Sequence, residues 1–407
     1  MISSTLLPPS VNLESVRLEI RALQPELVQW RRQIHQCPEL GFEEYLTSAF
    51  VSKLLTRWGI EHQTGIAGTG IVATLTGQTP GPVLAIRADM DALPINELNR
   101  VPYRSQHEGK MHACGHDGHT AIALGTAHYL AKHRQNFSGT IKIIFQPAEE
   151  GPGGAKPMIE AGVLKNPDVD ALIGLHLWNV LPMGKVALRS GPFMAAVESF
   201  KLLIMGKGGH GAMPHQTIDS VMVSAQIVNT LQTIVSRNVN PLQSAVVTIG
   251  ELHAGTRHNV IADTAKLSGT VRYFDPQFQG YLQERIEQTI AGICQIHGAT
   301  YDLNYWQQYP AVINDRRMSS FVYSVAQGVV ETSNELLPDY QTLAAEDVSF
   351  FLQQVPGCYF FLGSANPERD LAYPHHHPRF DFDEIVLQMG VELFVRCAEE
   401  FGRSFPL

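Results

Sequence analysis

Five short stretches carry side chains whose types and spacing could do chemistry. In MHACGHDGHTA, from Met111 to Ala121, Cys114 and His116 flank Gly115, and His119 follows a helical turn later. A thiolate and an imidazole both suit zinc and similar transition ions. The glycine allows a turn tight enough to aim both at one point. His119 could ligate as well, or hold a ligand through an outer hydrogen bond. In QPAEEGPGGA, from Gln146 to Ala155, Glu149 and Glu150 follow a proline. On extended backbone adjacent side chains diverge, so one carboxylate can bind a metal while the other faces a water. GLHLWN sets His176 in an apolar run, and YPHHHPRFDFDE offers His375, His376 and His377. RADMDALP supplies Asp89 and Asp91, as ligands or as acceptors that fix a histidine tautomer. Each stretch alone has a bland alternative: a solvent-facing helix start, an acidic turn, a core histidine, a surface histidine run, a turn aspartate. Cys-x-His is also too short to be a structural zinc site, which needs four ligands.

The elements around these residues bring them together. Apolar periodicity near 3.6 predicts helices from Leu13 to about Cys37, interrupted at Pro25, and from Glu43 to Trp58, closed by Gly59. GIVATLTG and VLAIRAD read as strands, the second apolar enough to be buried on both faces. A helix from His116 to His133, a strand TIKIIFQ ending at Pro147, a short helix in GAKPMIEAGVL and a strand DALIGLHLW follow. Strands alternating with helices indicate an α/β layer with a largely parallel sheet, whose sites form beyond the carboxyl ends of strands. Asp89, Glu149, Glu150 and His176 all fall there.

From about Leu188 the order becomes strand, helix, two strands, helix, strand, which is the ferredoxin-like split unit. The expected organisation is therefore a discontinuous α/β catalytic domain, 1–187 and 309–407, with an inserted α+β domain over 188–308. In the insert, GKGGHGAMPH places His210 in a glycine-rich loop. It is not a phosphate-binding loop, because its lysine precedes the glycines.

Composition excludes other classes. Apolar residues at 44% fit a globular chain of two or three domains. A net charge of −9 argues against a nucleic-acid partner. No run of about 18 apolar residues is present, so no membrane association is expected. The start, MISSTLLPPSVNLESV, lacks a basic region and an apolar core, so it does not read as a signal peptide. Five cysteines suggest free thiols in a reducing, cytoplasmic setting. The HxE and PCxxC pair of zinc deaminases is missing.

In order along the chain, DMDALP, MHACGHDGHTA, QPAEEGPGGA, GLHLW, GKGGHGAMPH, HNVIADTAKLSGTVR and HHPRFDFDE resemble the amidohydrolase branch of the aminoacylase/carboxypeptidase-G-like metallopeptidases. That branch includes hippurate hydrolases, N-acyl-amino-acid amidohydrolases and auxin-conjugate hydrolases. The resemblance implies two divalent metal ions per subunit (manganese, zinc, cobalt or nickel), held by Cys114, His116, Glu150, His176 and His376, with Glu149 as general base. Relatives outside the branch have an Asp where this chain has Cys114, and a His where it has Asp89. The resemblance gives Asp91 a supporting role behind the ligands. It selects His376 from the histidine run, with His375 as a competitor. His210 would contact the oxyanion and Asn259 the substrate. Arg272 would clamp the substrate's free carboxylate, which a guanidinium can hold with two hydrogen bonds. The implied reaction is hydrolysis of an N-acyl or N-aroyl L-amino acid. A dipeptidase or carboxypeptidase is the alternative, and a non-enzymatic ligand-binding homologue a further one. The family often forms homodimers or higher homo-oligomers through the inserted domain.

Overall fold

Val83 to Asp89 is buried along its whole length, as its unbroken apolar character requires. It forms the end of a strand at the centre of an eight-stranded sheet in a computed structural model that describes residues 13–405. The residues read above as lacking a signal peptide lie largely outside the described residues. The chain divides into two compact units. One comprises the residues up to Gly191, Ile313–Tyr340 and those from Phe350 onward. The other comprises Pro192–Val312 with Gln341–Ser349.

In the first unit, helices α1 (Leu13–Ala22), α2 (Gln24–Gln36) and α3 (Tyr45–Arg57) precede strands β1 (Glu61–Ile66), β2 (Gly70–Thr76) and β3 (Thr79–Asp89). Helix α4 (His116–Lys132), β4 (Ser138–Gln146) and β5 (Ala171–Pro182) follow. Pro25 falls in the first turn of α2, where a missing N–H costs nothing, so it starts a new helix after Ala22. The parallel part of the sheet runs β4, β3, β5 and the strand Gly357–Ala365, with antiparallel partners towards the edges. Helices α2 and α4 and the C-terminal helix Val386–Ser404 contribute Leu27, Ile122, Leu124, Val391 and Phe394 to the main hydrophobic cluster. Two register details position the chemistry. Asp89 pairs with Gln146, so β3 and β4 end level. The β3–β5 pairing stops at Arg87 and Gly174, so His176 stands on a part of β5 that β3 no longer covers.

The second unit has its own four-stranded antiparallel sheet and its own core. Its strands are Ala196–Met205, Ala245–Ala254, Thr264–Tyr273 and Thr300–Tyr309, with helices Ser220–Thr233 and Tyr281–His297 between them. Thr264–Tyr273 and Thr300–Tyr309 flank Ala196–Met205, and Ala245–Ala254 lies outside Thr264–Tyr273. That is the strand order of the split βαββαβ unit. No helix among the described residues is long and apolar enough to cross a membrane.

Candidate metal centre

Helix α4 starts at His116, and Gly115 before it sits at φ 94°, in the left-handed region that a side chain disfavours. This turn brings Cys114 and His116 to one place. Four overlapping groups form there: Cys114 with His116 and His176, Cys114 with Glu150 and His376, His116 with Glu149 and Glu150, and His116 with Asp89 and His119. Within each, the donor atoms lie within 4.8 Å of one another. Cys114 Sγ is 3.4 Å from His176 Nε2, and His376 Nε2 is 3.1 Å from Glu150 Oε1. These are separations that two ligands of a single ion adopt when each bond is about 2.0–2.3 Å.

The histidine tautomers fit metal binding. His116 Nδ1 lies 3.1 Å from Asp91 Oδ1, which must accept, so Nδ1 keeps its proton and Nε2 is the nitrogen whose proton a metal ion would displace. That Nε2 is buried without a hydrogen-bond partner among the described residues. Oxygens of Asp89, Glu149 and Glu150 stand 3.8–3.9 Å from it. A buried ring nitrogen facing carboxylates across such a gap is the arrangement a divalent cation completes, in place of the Nε2 proton. His176 donates Nδ1–H to Leu177 O at 2.6 Å, and so presents Nε2 towards Cys114. Asp91 does a second task, since its Oδ2 accepts the Glu150 N–H at 3.0 Å.

Electrostatics agree. Burial disfavours a charged His116, yet Asp89, Asp91 and Glu150 outweigh it and raise its pKa to about 10. Burial and the charges of Glu150 and Glu149 push the Cys114 thiol well up. Burial works against the Asp89 charge too, but His116, His119 and Arg87 hold it well below the usual carboxylate range. Burial alone is the largest influence on His176 and drives it well down, so it stays a neutral imidazole. The centre therefore carries an excess of negative charge, and a bound cation reverses the pressure on the thiol.

The Glu149–Glu150 backbone is not the extended stretch on which adjacent side chains would diverge. It forms a turn after Ala148, which sits at φ 53°. Sequence reasoning missed what holds that turn. Glu44, fully buried, accepts Ala148 N–H at 2.9 Å and Phe42 N–H at 3.0 Å through Oε1, and Thr69 Oγ1–H through Oε2. Nothing in GFEE, 104 residues upstream, signals this task.

A second unforeseen group braces α4 from behind. The buried Arg31 guanidinium bonds Asp117 at 2.6 Å and Asp381 at 2.8 Å, and His35 Nδ1 bonds Asp117 at 2.7 Å. The network ties α2 to the start of α4 and to the segment after the histidine run. Within that run, His376 joins Cys114 and Glu150 and adopts φ 65°. His375 accepts Asn179 N–H on Nε2 at 3.1 Å and turns Nδ1 towards Cys114 Sγ at 3.9 Å.

The remaining predicted residues lie in the second unit. His210 pairs with Val260 in a short two-stranded ladder, and Gly211 N–H donates to Asn259 O, which sets His210 and Asn259 side by side. His210 is exposed, and its Nδ1 accepts Ala212 N–H at 3.0 Å. Its proton is therefore on Nε2, free to donate. Arg272 has no ion pair among the described residues, and burial lowers its pKa.

The family model of peptidase family M20/M25/M40 matches residues 85–400. The chain is 41% identical over 396 residues to thermostable carboxypeptidase 2 of Saccharolobus solfataricus, covering 96% of this chain and 99% of that one. It is 45% identical over 302 residues to an N-acyl-L-amino acid amidohydrolase of Geobacillus stearothermophilus, covering 74% and 81%. The solved YXEP protein of Bacillus subtilis, described as a dinuclear metal-binding peptidase from the M20 family, superposes with a TM-score of 0.82. It shares 34% identity with this chain, over 95% of this chain and all of its own. The protein is thus a metal-dependent hydrolase of amide or peptide bonds, and the donor cluster is its candidate site for divalent metal. On the family model and these relatives together, the chain belongs to peptidase family M20/M25/M40.

Proposed function

We propose that this enzyme hydrolyses N-acyl or N-aroyl L-amino acids to a carboxylate and a free amino acid. Cys114, His116, Glu150, His176 and His376 would hold the metal pair, which when bound polarises the scissile carbonyl and makes a water more acidic. Glu149 takes a proton from the water as its oxygen bonds to the carbonyl carbon. It then delivers that proton to the amide nitrogen as the C–N bond breaks. His210 Nε2–H donates to the developing oxyanion. The observation that carries the reading is Arg272, a guanidinium with no ion pair among the described residues, suited to a substrate with a free carboxylate, a feature that N-acyl amino acids share with dipeptides. Asn259, beside His210, contacts the substrate. The N-acyl-L-amino acid amidohydrolase among the relatives supports the reading, and the carboxypeptidase keeps peptide hydrolysis as the alternative.

The test is a panel of N-acetyl and N-benzoyl amino acids, their C-terminal amides, and dipeptides. The panel is run on chelator-stripped protein with single metals restored. N-acyl amino acids should be the best substrates and their amides poor ones. Faster turnover of dipeptides would favour the carboxypeptidase reading. Glu149→Gln should keep full metal content and lose turnover, and an active Glu149→Gln would remove it as the base.

A further inference from the structure

His119 lies one turn beyond His116 and is buried beside it, with ring centroids 5.4 Å apart. By composition and place it could be another ligand. Its nitrogens are both spent elsewhere. Nε2 accepts the Leu177 N–H at 2.9 Å, so the proton resides on Nδ1, which donates to Asp89 Oδ1 at 2.6 Å. Asp89 is itself held by Arg87 Nη1 at 2.6 Å. The Leu177 carbonyl, in turn, accepts His176 Nδ1–H at 2.6 Å.

The fold explains why a side chain is needed there. The β3–β5 pairing ends at Arg87 and Gly174, while β5 runs on to Pro182. The Leu177 N–H is buried and no longer has β3 beside it. An unpaired buried N–H is costly, and His119 supplies the acceptor from α4.

We infer that His119 is a positioning residue, a strut from Asp89 through His119 to the Leu177 peptide that fixes the His176 imidazole against Cys114. It replaces the missing strand at the point where the sheet opens for the metal pair, and it does not ligate. This rests on the reading of His176 as a metal donor. Partners behind a ligand typically change metal affinity by about 10- to 100-fold.

Two near-isosteres separate the two bonds. In His119→Gln the side-chain amide reaches the place of Nε2 and keeps an acceptor for Leu177 N–H. In His119→Asn it reaches only the place of Nδ1, keeping the bond to Asp89 and losing Leu177. Metal affinity is measured by chelator competition, and the visible spectrum is recorded on the cobalt-loaded full-length enzyme, with His176→Ala beside them. His119→Asn should hold its metal about 10- to 100-fold more weakly, yet bind two ions at saturation with a cobalt spectrum near that of the parent. His119→Gln should stay within about threefold of the parent, a rescue that a ligand role does not allow. Parent-like affinity in His119→Asn overturns the strut. So does the loss of one ion at saturation in both His119 variants, which would make His119 a ligand. If His176→Ala keeps both ions at parent affinity, the ligand set itself fails, and the strut with it.

Discussion

Replacing Glu44 should damage catalysis although the residue touches no reacting group. Its Oε1 is the acceptor for the Ala148 N–H at 2.9 Å, and Ala148 sits at φ 53° immediately before Glu149. A left-handed non-glycine residue costs of order 1–3 kcal/mol and persists only where neighbours enforce it. A hydrogen bond to a charged acceptor contributes about 1.5–3 kcal/mol. Glu44→Ala removes that bond, so the turn loses about as much as its strain and relaxes for most of the time. If only the observed turn aims Glu149 correctly, kcat/KM falls by roughly 10- to 150-fold. Glu44→Gln retains a carbonyl oxygen for Ala148 and Phe42, and the Thr69 hydroxyl can reverse to accept from the amide. That variant should lose less than about threefold. Steady-state kinetics on an N-acyl amino acid, with metal content and thermal unfolding measured alongside, checks this. Parent-like kcat in a folded, metal-replete Glu44→Ala refutes the reasoning, as does equal damage in both variants.

Arg272→Lys keeps a charge but loses the fork that grips a carboxylate with two bonds. It should raise KM for free-acid substrates by about tenfold while leaving the poor turnover of C-terminal amides unchanged, from a loss near 1.4 kcal/mol. Equal effects on acid and amide would detach Arg272 from the carboxylate. His35 gives a pH prediction. Burial and the Arg31 charge oppose its protonation, but Asp117 and Glu97 prevail and raise its pKa from 6.5 to about 9. A raised pKa stabilises the fold fully below the unfolded value of about 6.5, and the contribution is lost as pH climbs through about 9. It is of order 3 kcal/mol. Urea unfolding should therefore show His35→Gln less stable than the parent near pH 6, with the gap narrowing near pH 9.5. A gap independent of pH would show that His35 is neutral in the fold.

Much of the architecture was legible because it depends on burial. Val83–Asp89 and Ala171–Trp178 are apolar almost throughout, and only strands covered on both faces read that way. The split βαββαβ order declared the second unit before its sheet was known. β1 escaped notice because it is an edge strand with mostly exposed polar residues, so no alternation marks it. Gln341–Ser349 groups with the second unit although sequence distance places it with the first. At the site, the ligand types stood out in short motifs. The Glu44 carboxylate did not, because its partner lies across a long stretch of chain and an isolated buried glutamate has no local signature.

The histidines show why residue type alone could not assign roles. His116, His119, His176 and His375 crowd one another, with ring centroids of successive neighbours 4.5–5.4 Å apart. What separates them is the partner each nitrogen meets. Asp91 and Leu177 O accept from His116 and His176 at Nδ1, which leaves Nε2 as the nitrogen directed into the cluster and open to a metal ion. His119 and His375 meet backbone N–H groups, of Leu177 and Asn179, at Nε2. Each then carries its proton on Nδ1, pointing at Asp89 in one case and towards the Cys114 sulfur in the other. A neutral imidazole has one lone pair to give. Where a backbone N–H has taken it, the ring can orient a ligand or donate to one, but cannot bind metal without breaking that bond. The backbone of Asn179 thereby occupies the His375 lone pair and leaves His376 as the proposed last ligand, a constraint that exists only once β5 and the histidine run have folded together.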